Sequence, residues 1–151
     1  MKSQTLSIVV PVYNEEDNIQ RFFDGVSPVI DQLEVEAEII FVDDGSRDRT
    51  AEEVQLLINR DTRIRLIRLS RNFGSHAALM AGFKEASGDA AVMMSVDLQD
   101  PPELLPDLIA KWQAGSKVVW GVRESRDDPF FKKLFARMFY GMIRRVAIPE
   151  Y

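Results

Sequence analysis

Five short apolar runs, each followed by a segment of helical periodicity, constrain the fold of this chain more than any other feature. The first run, residues 6–12, is continuous and rich in β-branched side chains, which is typical of a strand covered on both faces. Strands that alternate with helices predict a mostly parallel α/β sheet with right-handed crossovers, flanked by helices. The predicted strands are residues 6–12, 37–42, 64–69, 90–94 and 117–123.

The turn after the first run carries signals for a helix start. Asn14 is a plausible N-cap, and Glu15 and Glu16 would lie in a first turn whose dipole favours acidic side chains. Apolar residues then recur at helical spacing. We therefore expect the first helix to start at this turn and to bury Ile19, Phe22, Phe23 and Val26.

Size and composition indicate an ordinary globular domain. The chain has 151 residues, of which 46% are hydrophobic and 28% charged, so a sizeable core is expected. The absence of cysteine excludes disulfides and thiolate metal sites. No run approaches the roughly 18 apolar residues that a membrane span needs, and the first residues do not resemble a signal peptide.

Charge is distributed unevenly along the chain. Residues 1–122 carry 12 Lys and Arg against 20 Asp and Glu, a net charge of −8, whereas residues 123–151 carry 7 against 4, a net charge of +3. We expect an α/β core at 1–122 and a basic amphipathic helical segment at 123–151. The acidic core argues against general nucleic-acid binding, and the basic segment suits phosphates, a membrane surface or a partner, or is an ordinary surface helix.

A cluster of oxygen-bearing side chains follows the fourth run, residues 90–94, whose apolar sequence predicts a buried strand. Asp97, Gln99 and Asp100 precede Pro101-Pro102, where a strand cannot continue. Ligands bind at the carboxyl ends of strands in open parallel sheets, and such oxygens suit a hard divalent cation and, through it, a diphosphate. The alternative is an N-cap for the helix that Pro102 opens; Asp100 suits that role and Asp97 does not.

Two adjacent acids, Asp43 and Asp44, follow the second run and precede a Gly45-Ser46 turn. This position favours recognition of a base, a ribose or a cation. The alternative is a structural Asp-Gly turn with Ser46 or Asp48 as an N-cap, which accounts for one acid but not both. A receiver-like signalling domain would have its acid pair after the first strand instead.

Cationic residues follow the third and fifth runs. Arg71 precedes Asn72, Phe73 and Gly74, and a glycine turn that opens a helix is a plausible phosphate cradle. Arg123 ends the fifth run. Because parallel strands end at one edge, these cations and the acids of the second and fourth runs are expected to share a rim.

These motifs together resemble glycosyltransferase family 2, in the branch that loads sugars onto polyprenyl phosphates. Each motif is modest alone, but five in this order over the whole chain are specific. The residues that carry the resemblance are Val10-Pro11-Val12-Tyr13-Asn14-Glu15-Glu16, Val42-Asp43-Asp44-Gly45-Ser46, Ser70-Arg71-Asn72-Phe73-Gly74, Asp97-Leu98-Gln99-Asp100-Pro101-Pro102-Glu103 and Gly121-Val122-Arg123.

The resemblance implies a GT-A, Rossmann-like fold and an inverting transfer from a nucleoside-diphosphate sugar to polyprenyl phosphate, at the cytoplasmic face of a membrane. A UDP-sugar such as UDP-glucose is favoured, with GDP-mannose as the alternative, Mg²⁺ or Mn²⁺ as cofactor, and homo-oligomers possible. The matching positions would be Pro11, Tyr13, Glu15 and Asp43 for the nucleoside, Asp44 near ribose and diphosphate, Arg71, Asn72 and Gly74 for the donor, Asp97 and Gln99 for the metal, Arg123 and Lys133 for the acceptor phosphate, and Asp97 and Arg123 for catalysis.

Two departures from the family pattern bear on activity. Ser95 stands where the family usually has an acid, so a metal site here has one carboxylate fewer. The chain also stops before the segment that carries the family's usual candidate base and, in many bacterial members, two transmembrane helices. It is therefore expected to be an amino-terminal portion lacking part of the fold, and a non-catalytic fragment that binds sugar nucleotides is the alternative function.

Overall fold

The computed structural model describes residues 4–121, and its four strands form one parallel sheet in the order β3-β2-β1-β4. Among the described residues, all helices and strands lie within the compact unit Met1–Val119. The elements are β1 (Thr5–Val12), α1 (Glu16–Ile30), β2 (Glu36–Asp43), α2 (Thr50–Ile58), β3 (Ile64–Arg68), α3 (Ser75–Glu85), β4 (Ala90–Met93), a 3-10 turn (Pro102–Leu104) and α4 (Leu105–Gln113).

The central strand β1 is covered on both faces, as its uninterrupted apolar sequence predicts. On one face, Ile8 and Val10 pack with α1, α2 and α4 in the larger core. On the other face, Val9 packs against α3 around Ala78. The predicted helical face of α1 is confirmed, since Ile19, Phe22, Phe23 and Val26 are all buried.

Helix α3 lies unusually close to the sheet because Gly82 faces it. A Cβ atom at Gly82 would come within 2.3 Å of Val9 Cγ1 and 2.9 Å of Val42 Cγ2. The helix therefore covers β1 and β2. It leaves the same face of β4 open among the described residues, where Ala91 and Met93 are exposed, so the prediction of a buried strand at residues 90–94 was wrong.

The predicted fifth strand is not formed in residues 117–121, and residues 122–123 lie outside the described part of the chain. The apolar run there is short, and Val118 is 69% exposed, so little burial is gained by extending it. Strand-forming sequence alone does not form a strand without a partner strand and a covered face. Four alternations of strand and helix are therefore observed in residues 4–121, not five.

The helix caps considered for α1 and for the helical segment at Pro102 were also wrong. Helix α1 begins at Glu16 without a side-chain cap, and the Asn14 side chain instead accepts a hydrogen bond from the Arg47 amide at 2.9 Å. The helical segment at Pro102 follows Pro101 and likewise has no side-chain cap, so Asp100 does not fill that role. None of the helices in residues 4–121 is long and apolar enough to cross a bilayer.

A polar cluster around Glu38 ties together the amino-terminal halves of β1 and β2. Glu38 Oε1 accepts hydrogen bonds from Ser7 Oγ at 2.6 Å and from the amide and hydroxyl of Ser87, both at 2.8 Å. Arg65 donates to the other carboxylate oxygen at 3.1 Å. Burial alone would raise the pKa of Glu38, but these hydrogen bonds outweigh it and lower the pKa to about 2.

This lowered pKa predicts acid lability. A carboxyl whose folded pKa of about 2 lies below its ordinary 4.5 stabilises the fold above pH 4.5 and loses that contribution as pH falls towards 2. When Glu38 is fully ionised, its lowered pKa contributes about 3 kcal/mol to the free energy of unfolding. We expect Glu38→Gln to flatten the dependence of unfolding free energy on pH between those values, measured by urea denaturation. The matched control is Glu52→Gln on α2, which should keep the wild-type slope; equal slopes in all three proteins would contradict this assignment.

Candidate functional site

The loops that follow the carboxyl ends of the strands form the candidate site, which we call the carboxyl rim. It comprises residues 13–16, 43–50, 69–74 and 94–100. The parallel pairing of β4 with β1 brings the loop after β4 to the same edge as the others, and the Met94 amide still donates to the Val9 carbonyl at 3.0 Å. The rim therefore gathers the predicted acids and Arg71 at one edge of the sheet.

The loops after β1 and β2 are clamped to each other. The Asn14 amide donates to Ser46 Oγ at 2.9 Å, while Asn14 Oδ1 accepts the Arg47 amide at 2.9 Å. The Glu15 amide donates to Thr50 Oγ1 at 2.8 Å. These reciprocal bonds hold Asn14 in the left-handed region at φ 54° and fix the positions of Glu15 and the exposed Tyr13 beside the second loop.

Asp43 is fully buried and uses both carboxylate oxygens within the fold. Oδ1 accepts the Ser46 amide at 2.8 Å, and Oδ2 accepts Arg68 Nε at 3.1 Å. The first contact shapes the turn after β2, and the second ties it to β3. Asp43 therefore has a structural role, because it holds the turn after β2 in place against β3.

Asp44 turns towards a different loop. Its side chain accepts the Phe73 amide at one oxygen and the Gly74 amide at the other, each at 2.8 Å. The residue is 3% exposed. Two adjacent carboxylates are tolerated because they point to separate sets of N–H donors, each of which offsets one negative charge.

Gly45 lets the second and third loops touch. Its φ is +73°, and a Cβ there would lie 2.6 Å from the Arg71 carbonyl carbon and 2.7 Å from Arg71 Cα. Both the left-handed backbone and the lack of space require glycine. Asp44 and Gly45 thus bring the turn after β2 into direct contact with the loop after β3.

In the predicted phosphate cradle at residues 71–74, two backbone amides are already used within the fold. The amides of Phe73 and Gly74 already donate to Asp44, and Asn72 Oδ1 accepts the Gly74 amide as well, at 3.0 Å. The exposed Arg71 guanidinium lies over the Phe73 ring, 4.9 Å from its centroid. The exposed guanidinium of Arg71 therefore differs from the amides of residues 73 and 74, which already donate hydrogen bonds within the fold.

Asp97 follows β4 in a tight turn in which Leu98 adopts φ 56°. Its Oδ1 accepts Ser95 Oγ at 2.7 Å and the Gln99 amide at 3.2 Å, and its Oδ2 accepts Gln99 Nε2 at 2.5 Å. The hydrogen bond from Ser95 lowers the pKa of Asp97 most; burial opposes it, and the bonds from Gln99 add to it. Asp97 is therefore an ionised, half-buried carboxylate at neutral pH.

The donor set around Asp97 fits a divalent cation that is shared with a ligand. A carboxylate and a neighbouring carboxamide offer the oxygen atoms that Mg²⁺ and Mn²⁺ prefer. Within residues 4–121 there is no cluster of three His, Asp, Glu or Cys side chains that could hold a metal ion. Further oxygens, such as those of a diphosphate, would have to complete the coordination shell.

Sequence reasoning placed most of the rim but missed two of its contacts. Pro11 lies near the end of β1 as expected, and Arg123 and Lys133 lie outside the described residues. The clamp between Asn14 and Ser46, and the stacking of Phe73 on Arg71, were not predicted. In the sequence, these two contacts are indicated only by Asn, Ser and aromatic residues next to the motif positions. Such neighbours do not by themselves identify which residues will be in contact.

The chain matches the protein family described as glycosyl transferase family 2 over residues 7–149. It is 40% identical over 147 residues to the undecaprenyl-phosphate 4-deoxy-4-formamido-L-arabinose transferase of Proteus mirabilis, covering 97% of this chain and 45% of that protein. It is 40% identical over 146 residues to the bactoprenol glucosyl transferase of Shigella phage SfV, covering 96% and 48%. The chain thus spans about half the length of these curated relatives.

Solved structures share the architecture. A mannosyltransferase from Pyrobaculum calidifontis in complex with GDP-Man and Mn²⁺ aligns with a TM-score of 0.69 and 23% identity, covering 95% of this chain and 39% of that one. Glucosyl-3-phosphoglycerate synthase from Mycobacterium tuberculosis, in complex with Mn²⁺, UDP and glucosyl-3-phosphoglycerate, aligns with a TM-score of 0.59 and 26% identity, covering 75% of this chain and 41% of that one. The predicted GT-A sheet is confirmed, and the chain spans about 40% of the length of these structures.

Proposed function

Because the chain belongs to glycosyl transferase family 2, we propose that it provides the donor-binding part of an enzyme that transfers a sugar from a nucleoside diphosphate to polyprenyl phosphate. The names of the relatives from Proteus and phage SfV support this acceptor. The observation that carries the proposal is the carboxyl rim, where three interlocked loops share one sheet edge with the ionised carboxylate of Asp97.

We propose a UDP-sugar as the donor, with UDP-glucose the first candidate because the phage relative is named a glucosyl transferase. GDP-mannose is the second candidate. Tyr13 and Glu15 follow β1 and Asp44 follows β2, so all three would line the nucleoside site. Pro11 and the turn of Asp43 would form its floor. Arg71, Asn72 and Gly74 belong to the loop that would face the diphosphate.

Asp97 and Gln99 would hold Mg²⁺ or Mn²⁺ together with diphosphate oxygens. Such an ion neutralises negative charge that grows on a leaving diphosphate. On the protein side, the hydroxyl of Ser95 and the amide of Gln99 keep the Asp97 carboxylate ionised and fixed in orientation. A preorganised charge of this kind costs no reorganisation when the donor reacts.

A phosphate oxygen of the acceptor would attack the anomeric carbon and invert its configuration as the nucleoside diphosphate leaves. This nucleophile needs little help from a base, because a phosphate monoester with a second pKa near ~6 is mostly dianionic at neutral pH. Alignment by cations would therefore matter more than proton removal. Arg123 and Lys133, in the basic segment that we expect at a membrane surface, are the residues proposed for that alignment.

The proposed donor site is tested by titrating the ¹⁵N-labelled chain with UDP in the presence of diamagnetic Mg²⁺ and following the backbone amide shifts. We expect saturable shifts at Tyr13, Phe73 and Asp97 and none around Glu38, at the other end of the strands. Shifts confined to the Glu38 end, or no binding of either UDP or GDP, would contradict the proposal.

A second candidate is binding of the sugar nucleotide without transfer. The chain spans less than half the length of the relatives that are named transferases, which favours this candidate for the 151 residues by themselves. A transfer assay with radiolabelled UDP-glucose and polyprenyl phosphate, run beside the titration, separates the two. Labelled lipid product supports the transferase, whereas binding without product supports the second candidate.

A further inference from the structure

Phe73 occupies an unusual place in the carboxyl rim, because its ring supports a cation instead of joining a core. The side chain is 51% exposed and belongs to neither hydrophobic cluster of the described residues. The guanidinium carbon of Arg71 lies 4.9 Å from the ring centroid, within the range of a cation–π contact. An exposed aromatic residue therefore restricts the orientation of the cation that this loop presents.

The backbone beneath this pair is fixed by buried groups. The Phe73 amide donates to the nearly buried carboxylate of Asp44 at 2.8 Å. The backbone of Arg71 lies directly against Gly45, where not even a methyl group would fit. The loop is thus held from below by Asp44 and Gly45, and the only remaining freedom of Arg71 is in its own side chain.

We propose that Phe73 is a positioning residue for donor binding, whose ring holds the Arg71 guanidinium ready to bind the diphosphate of the donor. This inference rests on the proposed function of the rim. An arginine fork binds phosphate oxygens at two points, so its orientation matters more than that of a lysine. A guanidinium already held in one orientation loses less rotamer freedom when the ligand binds, and the affinity is correspondingly higher.

The pairing is not required for the fold. A half-exposed side chain outside both core clusters contributes little to the free energy of unfolding, so its replacement leaves the sheet and helices intact. The loop is still held by the bonds from the amides of Phe73 and Gly74 to Asp44, which do not depend on the side chain at position 73. Stability and donor affinity can therefore be changed separately at this position.

The test compares UDP affinities by isothermal titration calorimetry, with Mn²⁺ present, for Phe73→Leu, Phe73→Tyr and the matched control Phe83→Leu on α3. Phe83 is also partly exposed but lies away from the rim loops. We expect Phe73→Leu to weaken UDP binding by about two- to five-fold, the size of an exposed cation–π contact. Phe73→Tyr should restore the affinity, and Phe83→Leu should leave it unchanged, with all melting temperatures close to wild type.

A double-mutant cycle assigns the effect to Arg71. In the Arg71→Ala background, Phe73→Leu should cause no further loss of affinity, because the group that the ring positions is gone. An equal loss in both backgrounds, or no loss in the wild-type background, overturns the inference while the proposed donor site stands.

A ligand-free measurement separates the inference from the function on which it rests. Stacking on Phe73 predicts upfield ring-current shifts of the Arg71 side-chain protons that disappear in Phe73→Leu. If these shifts are present but no nucleoside diphosphate binds the wild-type chain, the proposed function fails and the donor role of Phe73 fails with it. If the shifts are absent, the stacking itself is wrong whatever the chain binds.

Discussion

Replacing Asp44 with alanine is expected to lower the free energy of unfolding by about 3 kcal/mol and to abolish measurable UDP binding. The carboxylate is 3% exposed and accepts two backbone amides from the loop after β3. Each hydrogen bond to a charged group contributes about 1.5–3 kcal/mol, and part of this is recovered when water reaches the freed amides. Chemical denaturation measures the first effect and calorimetry with UDP the second.

Variants of two glycines with positive φ distinguish the loop contact from general damage to the fold. Gly45→Ala should resemble Asp44→Ala, since its methyl group would displace the backbone of Arg71. Gly115→Ala is the matched control: Gly115 also has a positive φ, +103°, but nothing lies within 4 Å of an added Cβ. Wild-type stability in Asp44→Ala, or equal losses in the two glycine variants, would contradict the assigned contact.

The layered architecture was predictable because burial and periodicity agree in most of the chain. In β1 the uninterrupted apolar run requires cover on both faces, and α1 and α3 provide it. In α1 the spacing of Phe22 and Val26 specifies one buried face, which is the face observed. Such signals are local. The strand order β3-β2-β1-β4 was not predicted, because right-handed crossovers fix it only once the face that each helix covers is known.

The errors arose where local sequence did not determine the partner. Residues 117–121 have strand-forming side chains, but in the structure they form no strand, and Val118 is left exposed. Asn14 has the chemistry of an N-cap, but its side chain bonds Arg47 across to another loop. A capping preference of about 1 kcal/mol is easily offset by such a tertiary hydrogen bond.

The position of the rim was predictable from the sequence, whereas the hydrogen bonds between its loops were not. Strand ends identify Asp44, Arg71 and Asp97 as neighbours of one edge, since parallel strands end together. The sequence does not indicate that the Asp44 side chain accepts the amides of residues 73 and 74, which follow it by 29 and 30 positions. That contact depends on how the loop after β2 packs against the loop after β3. Gly45 is the only sequence signal for this contact, and its required positive φ does not reveal the neighbour.

Mn²⁺ is expected to tighten UDP binding strongly, and Asp97→Asn to remove that effect. Residues 4–121 contain no set of three acidic, histidine or cysteine side chains that could hold the ion, so metal and diphosphate should complete each other's site. Coupling of this kind commonly changes affinity by about 5–150-fold. The asparagine keeps the size of the side chain but loses the charge that Ser95 and Gln99 now stabilise.

The measurement that tests the central claim most directly is the dissociation constant of UDP with and without Mn²⁺, determined by calorimetry for the wild-type chain, Asp97→Asn and the control Asp107→Asn on α4. The account predicts that Mn²⁺ tightens binding to the wild type and the control at least about 5-fold and leaves Asp97→Asn unchanged. Equal metal dependence in all three proteins, or binding that ignores Mn²⁺ in the wild type, would contradict a cation-bound diphosphate at the carboxyl rim.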